Sequence, residues 1–231
     1  MQDAATAELP QQLARAAERL RDSGVLSKSL HGNLSAMDEG SRDSFWMSGS
    51  SLKGLKAEDL GRVSVDGDIV AGGMRSTERE VVAMHAIVYS LRPEVRCVIH
   101  THSPAATTYA VARQPLGCVA ESLARWGFSR ETPVASYGPR GSKESVDAIA
   151  ATLGAQGDVP ALLLASHGVL VFGSSVEEAV RRSIALEEAA ELALRAMSLG
   201  GAAFLTEAEA FAAMGRRTQF ESVAAHGHSQ G

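Results

Sequence analysis

The stretch Arg96-Cys97-Val98-Ile99-His100-Thr101-His102 constrains the fold of this chain more than any other. Its apolar run reads as a strand, and successive side chains on a strand point to opposite faces. His100 and His102 therefore project to one side, a few ångströms apart, where two imidazoles can share a metal ion. A third histidine closes a similar run, Ala161-Leu162-Leu163-Leu164-Ala165-Ser166, as His167-Gly168. Three neutral imidazoles with one coordination position left open are an arrangement used for catalytic zinc. Histidines on apolar strands also serve as satisfied structural residues. Spacing alone leaves both readings open and names no reaction.

Length and composition narrow the class. A chain of 231 residues can bury a large core, and no Pro/Gly/Ser linker divides it, so one domain is expected over residues 1–214. Residues 215–231, with His226 and His228, are expected to form a flexible tail without function. Hydrophobic residues at 45% and charged residues at 21% are those of an ordinary soluble protein, and no apolar run reaches the ~20 residues of a membrane span. The formal charge is -5 and the 22 Lys and Arg are scattered, which gives no footprint for nucleic acid. Met1-Gln2-Asp3-Ala4 lacks the regions of a signal peptide, and Cys97 and Cys118 make no disulfide framework. A cytoplasmic location is expected.

The pattern predicts alternating helices and strands. A helix is expected from about Ala4 to Ser23, stopped by Gly24, followed by irregular Gly/Asn/Ser chemistry. Phe45-Trp46-Met47 reads as a short strand, and Arg62–Val65 with Asp68–Val70 as a hairpin turning at Asp66-Gly67. A capping box, Thr77-x-x-Glu80, opens a helix with Val81, Met84, Val88 and Leu91 on one face. Ser103-Pro104 starts another helix, through about Ala112. Val134–Ser136 reads as a strand, and Val146, Ile149, Ala150 and Leu153 mark an amphipathic helix. Val169–Phe172 reads as a strand, after which a capping box at Ser174-x-x-Glu177 opens a long helix to about Ser198.

Three clusters suit an anion. Ser29–Ser35 sets backbone N–H groups and Asn33 where they can face one, Ser48-Gly49-Ser50-Ser51 repeats the theme, and Ser76-Thr77-Glu78 sits at a helix start. Ordinary turns and an ordinary N-cap have the same composition, and Glu78 is also a favourable first-turn acid.

In order along the chain, Gly32-Asn33-x-Ser35, Ser48-Gly49, Ser76-Thr77-Glu78, His100-Thr101-His102 and Ser166-His167-Gly168 resemble the class II aldolase and adducin-head family, from about residue 9 to 214. The resemblance implies a three-layer α/β/α fold on a mainly antiparallel sheet, a zinc ion (or manganese or cobalt), and a homotetramer with sites at subunit interfaces. It makes His100, His102 and His167 the zinc ligands and Glu78 the nearby acid/base. It assigns Gly32, Asn33, Ser48, Gly49, Ser76 and Thr77 to a substrate-phosphate pocket. The implied activity is cleavage of a short ketose 1-phosphate, of the fuculose or deoxyribulose phosphate type, to dihydroxyacetone phosphate and a small aldehyde.

Two departures bear on the aldehyde half. The fuculose phosphate enzyme of the family has a tyrosine about one helix after the histidine pair, where this chain has Glu121, and its closing C-terminal tyrosine is replaced by Phe211 and Phe220 at most. A glutamate in this region resembles the family's dehydratases and equally suits an ordinary helix carboxylate. Decarboxylation of a 3-oxo acid phosphate, dehydration and 4-epimerisation are the alternative reactions. A non-enzymatic adducin-like module is disfavoured by the intact His100, His102, His167 and Glu78.

Overall fold

A computed structural model describes residues 2–38, 40–74 and 81–216, with side chains from Glu8 onward. The strands are β1 (Gly32–Met37), β2 (Ser44–Met47), β3 (Gly61–Ser64), β4 (Ile69–Gly72), β5 (Cys97–Thr101), β6 (Val134–Ala135), β7 (Ala161–Leu164) and β8 (Gly168–Gly173). They form one sheet in the order β4-β3-β2-β1-β5-β8-β7-β6. Every pairing is antiparallel except that of β6 with β7. The helices are α1 (Gln2–Asp22), α2 (Val82–Leu91), α3 (Pro104–Ala112), α4 (Glu121–Ala124), α5 (Lys143–Gln156) and α6 (Val176–Ala196), with a further helix at 207–216. Among the described residues no helix is long and apolar enough to cross a membrane.

The two faces of the sheet separate by the two-residue period of the strands. Val98 of β5, Leu162 and Leu164 of β7, and Leu170 and Phe172 of β8 pack under α2 and α5. Ala161, Leu163, Val169 and Val171 face the layer of α3, α4 and α6. Leu34 and Ala36 of β1 and Cys97 and Ile99 of β5 face α1 and the start of α6. Helices on both faces leave the central strands buried throughout, which is why β7 and β8 read as continuous apolar runs.

Several expectations need correction. The segment expected to be irregular contains β1, a fully buried strand between β2 and β5. Gly, Asn and Ser are poor strand formers, and pairing on both edges overrides that preference. The box opening α6 sits one residue later than expected: Ser175 Oγ accepts from Glu178 N, and Glu178 Oε2 accepts from Ser174 N at 2.7 Å. On α2, Leu91 is 45% exposed, and His85 and Tyr89 complete the buried face with Val82, Met84 and Val88. The box at Thr77 lies outside the described residues. At the other end, the last helix runs past Gly215 to 216, and 217–231, with Phe220, His226 and His228, also lie outside them.

One buried carboxylate ties α6 to the region after the histidine strand. Glu187, 5% exposed, accepts hydrogen bonds from Ala105 N at 2.7 Å and Ala106 N at 2.9 Å, two of the unpaired amides in the first turn of α3. Alanines on both helices, among them Ala106, Ala110, Ala189 and Ala190, let the backbones approach closely enough for this contact. Because α3 starts two residues after His102, the carboxylate also fixes where the chain leaves β5. Replacing Glu187 by Ala strands both amides. The expected loss is about 2–4 kcal/mol in urea unfolding; a loss below about 0.5 kcal/mol would show that water satisfies these amides equally well.

Candidate functional site

The site grows from the β1–β5–β8 pairing. His100 stands opposite Asn33 on one neighbour and Leu170 on the other, which sends its side chain to the α2/α5 face near the end of β5. His102 follows the strand. His167 comes from the turn between β7 and β8, where its N–H donates to Leu164 O at 2.9 Å and Ser166 takes the left-handed conformation, φ 57°. The ring centroids of His100, His102 and His167 lie 4.8 to 5.1 Å apart, and their candidate ligand nitrogens all fall within 4.8 Å of one another.

Gly168 makes this convergence possible. A Cβ there would meet Thr101 O at 2.5 Å, His102 Cδ2 at 2.8 Å and His100 Cε1 at 3.2 Å. On the opposite side of β5, a Cβ on Gly32 would meet His100 O at 2.7 Å. The glycines therefore serve close approach rather than a turn.

Protonation favours ligation. His100 Nδ1–H donates to Val169 O at 2.8 Å, which fixes the tautomer and leaves Nε2 as the free lone pair, 3.2 Å from His102 Nε2. Burial, then the neighbouring His167 and His102, push His100 well below the usual imidazole range. Burial, then His167, His31 and Arg140, bring His102 down to about 4, and burial with Arg140 lowers His167. All three are neutral near pH 7, the state a metal requires. Tetrahedral zinc with nitrogens at about 2.1 Å sets them about 3.4 Å apart. The residues present fit a divalent metal by donor type, spacing and carbonyl support.

The cleft beside the imidazoles is lined by His31, Gly32, Asn33 and Ser50, and across from them by Arg140 and Ser142. Asn33 is buried, with its Oδ1 2.5 Å from His85 Nε2. Ser48 is not on the cleft wall: its Oγ accepts from Leu34 N at 3.1 Å and donates to Gly49 O at 3.1 Å, which shapes the loop carrying Ser50. Gly49 likewise does not line the cleft. Glu121 lies at the start of α4, exposed and paired with Arg125 at 3.1 Å, away from the cleft of its own chain. Ser76, Thr77 and Glu78 lie outside the described residues.

Sequence reasoning passed over Arg140, Ser142 and His85. Ser142 is the N-cap of α5, its Oγ accepting from Ser145 N at 3.2 Å, and the signal was present as Ser142 three residues ahead of Ser145 in a turn-rich Gly-Pro-Arg-Gly stretch. His85 was hidden in an apolar helix face. Its four-residue spacing from Tyr89 puts two hydrogen-bonding side chains on that face.

Residues 11–194 match the sequence model of the class II aldolase and adducin N-terminal domain. The chain is 28% identical over 188 residues to the 5-deoxy-D-ribulose 1-phosphate aldolase of Bacillus thuringiensis serovar kurstaki, covering 81% of this chain and 85% of that protein. It is 29% identical over 156 residues to human beta-adducin, which covers 66% of this chain but only 21% of the adducin. The solved structure of an L-fuculose 1-phosphate aldolase superposes with a TM-score of 0.80 at 25% identity, covering 91% of this chain and 96% of that one. Relatives at 28% and 27% identity also include an L-ribulose-5-phosphate 4-epimerase of Salmonella paratyphi C, covering 70% of this chain and 74% of that protein, and a methylthioribulose-1-phosphate dehydratase of Hahella chejuensis, covering 75% and 89%. With the match extending across the sheet and its three histidines, this chain belongs to the class II aldolase and adducin N-terminal domain family.

Proposed function

We propose that the protein is a metal-dependent aldolase that cleaves a short ketose 1-phosphate into dihydroxyacetone phosphate and a small aldehyde, with zinc as the metal and manganese or cobalt as substitutes. The observation that carries the reading is the convergence of His100, His102 and His167 on one side of a cleft that also holds Asn33 and Arg140. His100, His102 and His167 are the ligands in this reading, and a metal bound there supplies a Lewis acid that spreads the electron pair left on C3 when the C3–C4 bond breaks. Asn33 and Gly32, with Ser76 and Thr77, offer neutral donors to the substrate phosphate, the Ser48–Gly49 turn shapes the loop that brings Ser50 to the cleft, and Arg140 adds a positive charge there. Glu78 returns a proton to C3 and so releases dihydroxyacetone phosphate. The expected assembly is a homotetramer in which neighbouring copies complete the site.

A second reading is dehydration of a related sugar phosphate. Two observations favour it: Glu121 offers an exposed carboxylate at the start of α4, and the chain is 27% identical to a methylthioribulose-1-phosphate dehydratase. The products separate the two readings. Zinc-loaded protein incubated with a panel of ketose 1-phosphates should form dihydroxyacetone phosphate, detected with a coupled reductase; a dehydrated ketone phosphate in its place would establish the second reading.

Metal analysis should find about one zinc per chain, the stoichiometry of a single three-histidine site. His102→Ala should lose it. Gly168→Ala should weaken zinc binding as well, because the added methyl displaces two ligand rings, whereas Gly154→Ala on the open surface of α5 should leave it unchanged. Full zinc occupancy in a triple alanine variant of the histidines would end the metal assignment.

Glu78→Gln should keep zinc and lower kcat by about 10²–10⁴. It should also slow exchange of a C3 proton of dihydroxyacetone phosphate with deuterated water, a half-reaction that involves no aldehyde. If Glu121 acts only at the C4 oxygen or lines the aldehyde pocket, Glu121→Gln should spare that exchange and reduce full cleavage instead. Unaltered exchange in Glu78→Gln would move the proton-transfer role to another residue. Thr77→Ala should chiefly raise KM for the phosphorylated sugar, and equal turnover of unphosphorylated ketoses would remove the phosphate pocket from the reading.

A further inference from the structure

We propose that His85 is a positioning residue: it turns the Asn33 carboxamide so that the NH2 group, a hydrogen-bond donor, faces the cleft beside the three histidines. The inference deepens the proposed function, resting on it only for the identity of the anion that Asn33 meets.

The geometry is a buried chain of four side chains linking α2 to β1. Asn33 and Ser35 lie two residues apart on one face of β1, and His85 reaches both, with Nε2 at 2.5 Å from Asn33 Oδ1 and Nδ1 at 2.7 Å from Ser35 Oγ. Ser35 Oγ is in turn 2.7 Å from Tyr89 OH. His85, Ser35 and Tyr89 are all buried, at 0%, 0% and 5% exposure, and Asn33 is 2% exposed while forming part of the cleft wall. Buried polar groups at this depth persist only when every one is paired.

Counting protons gives the chain a direction. Burial holds His85 neutral, lowering its pKa to about 3, so the ring carries one N–H and one lone pair. A carboxamide oxygen only accepts and its nitrogen only donates. If His85 carries its proton on Nε2, it donates to Asn33 Oδ1, accepts from Ser35 at Nδ1, and leaves the Asn33 NH2 for the cleft. If the proton sits on Nδ1, the amide must turn over, and the carbonyl then faces the cleft and repels an anion.

The geometry selects the first arrangement. The Asn33 atom 2.5 Å from His85 Nε2 is the carboxamide oxygen, which only accepts, so the ring proton sits on Nε2. Tyr89 then donates to Ser35, Ser35 to His85 Nδ1, and His85 Nε2–H to Asn33. The side chain that faces the cleft is thereby held by a relay that ends at Tyr89, three side chains away. Asn33 stands opposite His100 in the sheet register, so the oriented donor lies next to the metal-ligand cluster.

The test combines a spectrum with a binding measurement. Long-range proton–nitrogen NMR of the wild-type chain, with the His85 signals assigned by their absence in His85→Phe, should show Nε2 protonated and Nδ1 bare; a proton on Nδ1 overturns the proposal whatever the variants do. His85→Phe should keep zinc content and weaken binding of inorganic phosphate by roughly ten-fold or more, the effect of losing one donor to a charged group. Asn33→Ala should weaken it similarly, and the double variant should be no worse than Asn33→Ala alone, because His85 acts only through Asn33. Additive losses overturn the proposal. Should His85→Phe fail to fold, Ser35→Ala takes its place in the same cycle. If wild-type protein binds no phosphate yet carries the Nε2 proton, the phosphate reading falls while the orientation of Asn33 stands.

Discussion

The pairing of β5 with β1 on one side and β8 on the other is the constraint on which the candidate site depends. Strand alternation assigns His100 to the α2/α5 face, and the register places Asn33 beside it and Gly168 immediately past the end of the pairing. A one-residue slip of either neighbour would send His100 or Asn33 to the opposite layer. Glycines flank the end of β5 on both sides, Gly32 against the His100 carbonyl and Gly168 against the Thr101 carbonyl, and both distances forbid a Cβ. Close backbone approach and imidazole convergence are thus two consequences of one arrangement.

That arrangement carries a polar burden in the middle of the sheet. The α2/α5 face is apolar along β7 and β8, yet on β1 it presents Asn33 and Ser35, and on β5 it ends in His100. These groups are tolerated because α2 answers them with His85 and Tyr89 and because Val169 O receives the His100 proton. The helix that covers the sheet therefore also completes the wall of the cleft. Such satisfied networks specify one packing of a helix on a sheet, since any shift of α2 along β1 would strand several polar atoms at once.

Legibility in the sequence followed this division. Segments whose structure is set by one strong local signal were readable: the β5 strand, the β3–β4 hairpin at Gly67, the proline start of α3 and the long α6. The clustering of His100, His102 and His167 was also readable, because two of them stand two residues apart at the end of β5 and the third follows a matching apolar run. β1 was not, because its strand character comes from partners 12 and 65 residues away, Met47 for Ser35 and Ile99 for Leu34, and its own composition argues for a loop. His85 was missed for the complementary reason: periodicity identifies the buried side of a helix and says nothing about which buried positions are polar. Arg140 and Ser142 reach the cleft only through the placement of α5, which no short motif encodes.

The relatives that share this fold carry names for aldol cleavage, epimerisation and dehydration, and one, beta-adducin, carries the name of no enzyme. Three clustered imidazoles and a donor for an anion suit more than one sugar-phosphate reaction, so they do not choose among them. The choice must lie with groups that meet the part of the substrate remote from the phosphate, where proton transfers differ between breaking a carbon–carbon bond and expelling water. In this chain the described lining of the cleft beyond the imidazoles and β1 includes His31, Ser50, Arg140 and Ser142, while Glu121 stands exposed at the start of α4. A site whose three histidines are held by the central strands and the turns at their ends, and whose remaining walls come from loops and helix starts, can change those walls without disturbing the sheet that holds it.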